Sequence, residues 1–211
     1  MRTPDRDRCR FAFVTLCAAL VITLAVLCPA GALTAEYTVL PNGTAYNASV
    51  QISDAAQYEF SDVGLLGENV PVSAGNIVLS GNCSPCTFNW STQWGSPPYI
   101  TFPKGNYTIS YMSPLRDNHL QANFKKAYNV SVTLPQEFDV RNPLLAGISL
   151  GANVTRHADN STLLTWNRST SIDLRFYTQS REQLLYLFGN FMIIIAIALL
   201  LPYLLMRNKP K

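Results

Sequence analysis

Between residues 36 and 180, apolar and polar positions alternate in short runs broken by Gly, Pro and Asn. No stretch there carries the i, i+3, i+4 apolar pattern of an amphipathic helix. The runs predict strands at residues 37–40, 49–53, 58–61, 76–80, 129–134, 162–166 and 172–177. In the fifth of these, Val130, Val132 and Leu134 fall on one face, while Asn129, Ser131 and Thr133 fall on the other. Residues 99–111, YITFPKGNYTISY, predict a hairpin whose turn is Pro103, Lys104 and Gly105. One covered face and one hydroxyl-rich face predict a mainly β fold, an antiparallel β-sandwich-like domain over residues 36–180. No period of about 20–50 residues repeats, which argues against a solenoid or a propeller.

The two ends follow other patterns. Residues 184–206 hold no charged side chain and, as a helix, would reach roughly 35 Å, enough to cross a bilayer core of about 30 Å. A buried core helix is the competing reading. Arg207, Lys209 and Lys211 follow, so the positive-inside rule places the tail, 207–211, in the cytoplasm and the β-domain outside. Gly189 and Asn190 would be the contact points for any partner within the bilayer, although an ordinary interfacial end of the helix is the favoured reading of both. At the other end, Arg2, Arg6, Arg8 and Arg10 precede an apolar run at 11–27, then small residues at Ala30 and Ala32. This pattern makes residues 1–35 a secretory signal or an uncleaved signal anchor. Pro29 and Gly31, just before the Ala-x-Ala site, favour cleavage. A lipid on Cys28 is a third reading, which the bulky Leu27 before it disfavours.

The positive excess of the chain sits at these ends, and acidic residues slightly outnumber basic ones between Glu36 and Gln183. No basic patch is left for nucleic acid. Cys9, Cys17 and Cys28 lie in or beside the leader, so Cys83 and Cys86 are the pair available to the exported domain. In an oxidising compartment they read first as a disulfide. Cys-x-x-Cys also supports thiol–disulfide exchange, but Thr87-Phe88-Asn89-Trp90 reads as strand, and no helix N-terminus is at hand to activate the first thiol. A metal site would need His119 and His157 to join the two cysteines, since a tetrahedral site takes four ligands. Asp54, Glu59, Asp62 and Glu68 are scattered rather than paired. No catalytic motif, metal site or cofactor site is expected.

Asn42, Asn47, Asn82, Asn89, Asn106, Asn129, Asn153, Asn160 and Asn167 each open an Asn-x-Ser/Thr triplet, a density above chance. They are candidate glycosylation sites, and the rival explanation is a wet β-face rich in Asn, Ser and Thr. Trp90, Trp94 and Tyr99 gather aromatic groups among turn residues, either as a partner or sugar surface or as buried packing. Burial is the favoured reading, with Trp90 inward on its strand and Trp94 plugging one end of the sandwich.

The segments FPKGNYTISYMSPLRDNHL, VSVTLPQEFDVRNPLLAGIS and LLTWNRSTSIDLRFYTQSREQLLYLFG resemble an uncharacterised archaeal family, found in haloarchaea and methanogens and described only as a membrane-anchored domain of unknown function. The resemblance covers about half of the chain, from Phe102 into the terminal helix. It implies an envelope protein with an outward β-domain and brings no activity to carry over. The sequence thus points to a membrane-anchored, glycosylated, non-enzymatic binding or interaction module that contacts envelope proteins or glycans. A redox protein using Cys83 and Cys86, and an accessory subunit of a transporter or secretion complex, are the alternatives.

Overall fold

The computed structural model describes residues 32–64, 68–81, 83 and 86–207. The leader up to residue 31 with Cys28, the triplet at Asn82 and tail residues 208–211 lie outside the described residues. Thirteen described strands precede one described helix. They are β1 (Leu33–Val39), β2 (Ala45–Glu59), β3 (Ser61–Val63), β4 (Asn69–Pro71), β5 (Gly75–Gly81), β6 (Asn89–Ser91), β7 (Tyr99–Pro114), β8 (His119–Leu134), β9 (Phe138–Asp139), β10 (Gly147–Ile148), β11 (Ala152–Arg156), β12 (Thr162–Arg175) and β13 (Tyr177–Thr178). The helix, α1, spans Gln179–Arg207.

Nine strands form one sheet in the order β10-β12-β8-β1-β2-β7-β5, with β11 also on β12 and β6 also on β7. Two small ladders, β3 with β4 and β9 with β13, complete the described set. The fold is mainly β as expected, but two expectations are corrected. The domain is not wholly antiparallel: β1 runs parallel to β8, with Leu33 beside Tyr128 and Thr38 beside Thr133. The hairpin expected at 99–111 does not form either. Tyr107–Pro114 pairs with Ala45–Ile52, and Tyr99–Thr101 pairs with Gln57–Glu59, so both arms of β7 lie along the same partner, β2. Pro103-Lys104-Gly105 falls at a shift of register between these stretches. Turn chemistry suits a bulge as well as a hairpin, and the long partner strand decides which one forms.

These interruptions fold the sheet back on itself. In β2 and β7 the ladder breaks near Ser53 and Asp54, after which Tyr58 comes to lie opposite Tyr111, ring centroids 6.3 Å apart. β8 and β12 break at Asn167–Ser171. Phe138 follows one end of that ladder and Phe176 the other, yet their rings stand 4.9 Å apart, so the two ends have been brought together. The facing halves enclose the core: Ala35, Val50, Ile109, Val132, Leu134, Leu164 and Trp166 are all essentially buried. The alternation at 129–134 is the reason this strand has a buried face, and the buried set is the apolar one.

Both bends are capped alike. Asp54 and Arg168 hold left-handed backbone, at φ 54° and 52°. Asp54 donates its N–H to Asn106 Oδ1 at 2.9 Å, and Arg168 donates its N–H to Asn129 Oδ1 at 3.0 Å. Two of the Asn-x-Ser/Thr asparagines therefore have a structural task apart from any glycan. Asn129→Ala is expected to lower stability by about 1–2 kcal/mol, because the Arg168 amide loses its acceptor. Ser131→Ala removes the triplet but not the acceptor and should cost under about 0.5 kcal/mol. Equal losses in urea unfolding would show that the hydrogen bond is not what matters.

Strand β13 passes directly into α1, which at 29 residues reaches roughly 43 Å. The helix begins earlier than residue 184, on polar Gln179, Ser180, Arg181 and Glu182, and residues 179–202 are long and apolar enough to cross a membrane. At its root, buried Asp139 accepts hydrogen bonds from the N–H groups of Val140 (2.7 Å) and Arg141 (2.9 Å) and from the Arg141 guanidinium. Burial pushes the Asp139 carboxyl up, but these donors outweigh it and hold the group below the usual carboxylate range. The Tyr177 hydroxyl accepts the Asn142 N–H at 3.1 Å, tying the same corner to the strand that enters the helix.

Candidate functional site

Strand β1 fills the space between β2 and β8 only as far as Leu33. Beyond it, β2 continues through Ser53 to Tyr58, β8 contributes Gln121–Lys126, and no described strand lies between them. The gap opens into a cavity of about 420 Å³. Its inner wall carries Tyr37 and Tyr46 from β1 and β2, Tyr111 from β7 and Tyr128 from β8. Tyr58 closes it from the folded-back arm of β2, and Asp62 from β3 supplies a carboxylate. The rings pack on one another: Tyr37 meets Tyr46 edge-on at 5.8 Å, and Phe124 stacks on Tyr128 at 4.5 Å.

The electrostatics follow from burial. Desolvation pushes the Tyr58 hydroxyl up to about 12 and raises Tyr37, Tyr46 and Tyr111 as well, so these hydroxyls are neutral at physiological pH. Burial also pushes the Asp62 carboxyl up to about 6, opposed by the charge of His119. That imidazole is engaged elsewhere: its Nε2 lies 2.9 Å from Asp173 Oδ1, while Gln121 Nε2 donates to Asp173 Oδ2 at 2.9 Å. Lys125 and Lys126 stand exposed at the rim, where the Lys126 Nζ leans on the Ser53 carbonyl at 3.5 Å.

The residues singled out from the sequence lie apart from this cavity, with two exceptions. Cys83 and Cys86 are joined as a disulfide in the segment between β5 and β6. Trp90 is exposed, which corrects the expectation that it points inward on its strand, although its ring lies against Phe60, centroids 5.6 Å apart; Tyr99 is half-buried. Trp94 is fully exposed, which corrects the expectation that it plugs the sandwich: it sits in the turn between β6 and β7, and no described strand covers it. Asn42, Asn47, Asn89, Asn106, Asn153, Asn160 and Asn167 are exposed, and Asn129 is half-buried. Gly189 and Asn190 lie on the exposed surface of α1. Among the described residues no three His, Cys, Asp or Glu side chains gather as a metal site. His157 is exposed in the turn between β11 and β12.

Glu59 and Asp62 are the exceptions, since the scattered carboxylates included both and both line the cavity. The tyrosines were missed because each reads, on its own strand, as an ordinary inward aromatic residue. A signal was present: Tyr37 and Tyr46 each lie within two residues of an inward alanine, Ala35 and Ala48, and tall polar rings beside short side chains leave space.

Residues 92–207, a little over half of the chain, match the model of DUF5803, a family of unknown function. The chain belongs to that family. No curated protein matches it. The DUF5803 segment runs from just before β7 through α1 and so includes Tyr111 and Tyr128. Tyr37, Tyr46, Tyr58 and Asp62 come from the portion before it, and the cavity is built jointly from the matched and unmatched parts.

Proposed function

We propose that this DUF5803 protein is a membrane-tethered binding domain of the cell envelope, with its ligand held, not chemically altered, in the cavity between β2 and β8. The observation that carries the reading is the cavity itself: aromatic walls with a few converging polar groups form the usual lining of a ligand site. The basic residues after α1 support an outward β-domain, and the exposed Asn-x-Ser/Thr triplets support its glycosylation. Ala55, on the cavity wall, offers the test. Small molecules that raise the melting temperature of the full chain are expected to lose that effect on Ala55→Trp. A library that stabilises neither form, or both forms equally, would sink the proposal.

A second reading, thiol–disulfide exchange, has a specific observation in its favour, the bonded Cys83–Cys86 pair. Among the three readings drawn from the sequence it has the more direct support, because neither a partner surface nor an accessory-subunit contact has a comparable bonded feature. Against it, the helix among the described residues begins at Gln179, far along the chain from Cys83, so it offers the thiol no activating N-terminus in sequence. Alkylation of intact cells tests it: thiols labelled without added reductant would favour exchange, and a pair that resists mild reductant would rule it out.

A further inference from the structure

The lining of the cavity also bears on what it holds, if the binding reading above is right. We propose that the occupant is a small organic cation of the alkylammonium class, seated against the tyrosine rings with the Asp62 carboxylate as its counter-charge. Five tyrosines line the cavity, and the faces of such rings attract cations, most strongly where water is excluded. Asp62 lies half-buried in that wall. The nearby imidazole of His119 is committed to Asp173, so the carboxylate is left short of a positive partner. A bound ammonium group supplies that charge without the cost of burying a carboxylate alone. The lysines at the mouth do not take this role, because both are exposed to solvent and Lys126 is turned onto the Ser53 carbonyl.

The groups around Asp62 set how binding depends on pH: His119, Tyr37, Tyr46 and Tyr58 lie within its field, and Glu59, Lys125 and Lys126 line the same cavity. Below about 6 the carboxyl is protonated and the cation loses its counter-charge, so affinity falls as pH drops through that value.

Choline and its uncharged isostere 3,3-dimethylbutan-1-ol separate charge from shape. Both are titrated calorimetrically into the full chain, held in a detergent with a neutral headgroup so that no lipid headgroup competes. Choline should bind at least about tenfold more tightly than the isostere. Asp62→Asn should bring the two within about threefold, Tyr58→Phe should keep the preference and Tyr58→Leu should lose it. Equal affinity for both on the wild-type chain overturns the cation while leaving the cavity a binding site. If neither ligand binds, and Ala55→Trp alters no interaction in the wider library, the binding reading fails as well.

Discussion

Trp166→Ala is expected to cost the β-domain about 3–5 kcal/mol, whereas Trp94→Ala should change its stability by less than about 0.5 kcal/mol. Trp166 is 1% exposed, in β12. It pairs with Val130 on one side and Ala152 on the other, and its Nε1–H donates to the Ser149 carbonyl at 3.3 Å. It is also the last paired residue before the ladder of β8 and β12 turns back. Truncation leaves a void at that bend and strips a part-buried carbonyl of its donor, and the two effects add. Small domains are stable by only about 5–15 kcal/mol, so the variant should sit near the edge of folding at ambient temperature. Urea unfolding followed by circular dichroism gives both values. A loss below about 1 kcal/mol for Trp166 would mean that the bend does not rest on it.

Asp62→Asn should act in the opposite direction and stabilise the domain at neutral pH. An aspartate titrates near 3.9 in the unfolded chain, and burial lifts Asp62 to about 6 in the folded one. The folded state therefore binds the proton more tightly. The contribution of Asp62 to stability is fully present below about pH 4 and is lost as pH rises through about 6. The two-unit difference corresponds to roughly 3 kcal/mol at most, and about 1–3 kcal/mol is the expected gain for Asp62→Asn at pH 7.5. At pH 4 the gain should vanish. Asp139 and Asp173 do not confuse the window, because both are held below the usual carboxylate range and lose their contributions only at lower pH. Unfolding free energies of both forms between pH 4 and 8 check this. Parallel curves would show that Asp62 is solvated rather than trapped.

These two residues also show what the chain disclosed beforehand. Trp166 closes an alternating run and reads correctly as strand, and the parity at Val130, Val132 and Leu134 assigned a face that the fold buries. The membrane-length run was equally plain, because its signal is local and needs no partner. What was hidden depends on distant pairing. Pro103-Lys104-Gly105 carries turn chemistry, yet β2 is long enough to accept both flanking arms. Nothing in the alternation of 33–39 distinguishes a parallel neighbour from an antiparallel one, since side chains alternate in both. Trp94 looked like packing because tryptophan is commonly buried, and only the place of its turn leaves it bare. The cavity combines residues from β1, β2, β7, β8 and the small β3–β4 ladder, each unremarkable where it stands.

The parallel seam between β1 and β8 bears on how the protein assembles. Strand β1 leaves the ribosome long before β8, and its second edge stays open until residue 133 exists, a loop of roughly a hundred residues. Contacts so far apart in sequence form late and slowly. Until then the slot between β2 and β8 can accept residues 33–39 of any copy of the chain, because the donor segment is the same. Exchange of β1 between neighbouring copies is thus the misassembly this topology invites, and a membrane-spanning α1, which its length and apolar character allow, would raise the local concentration at which it competes.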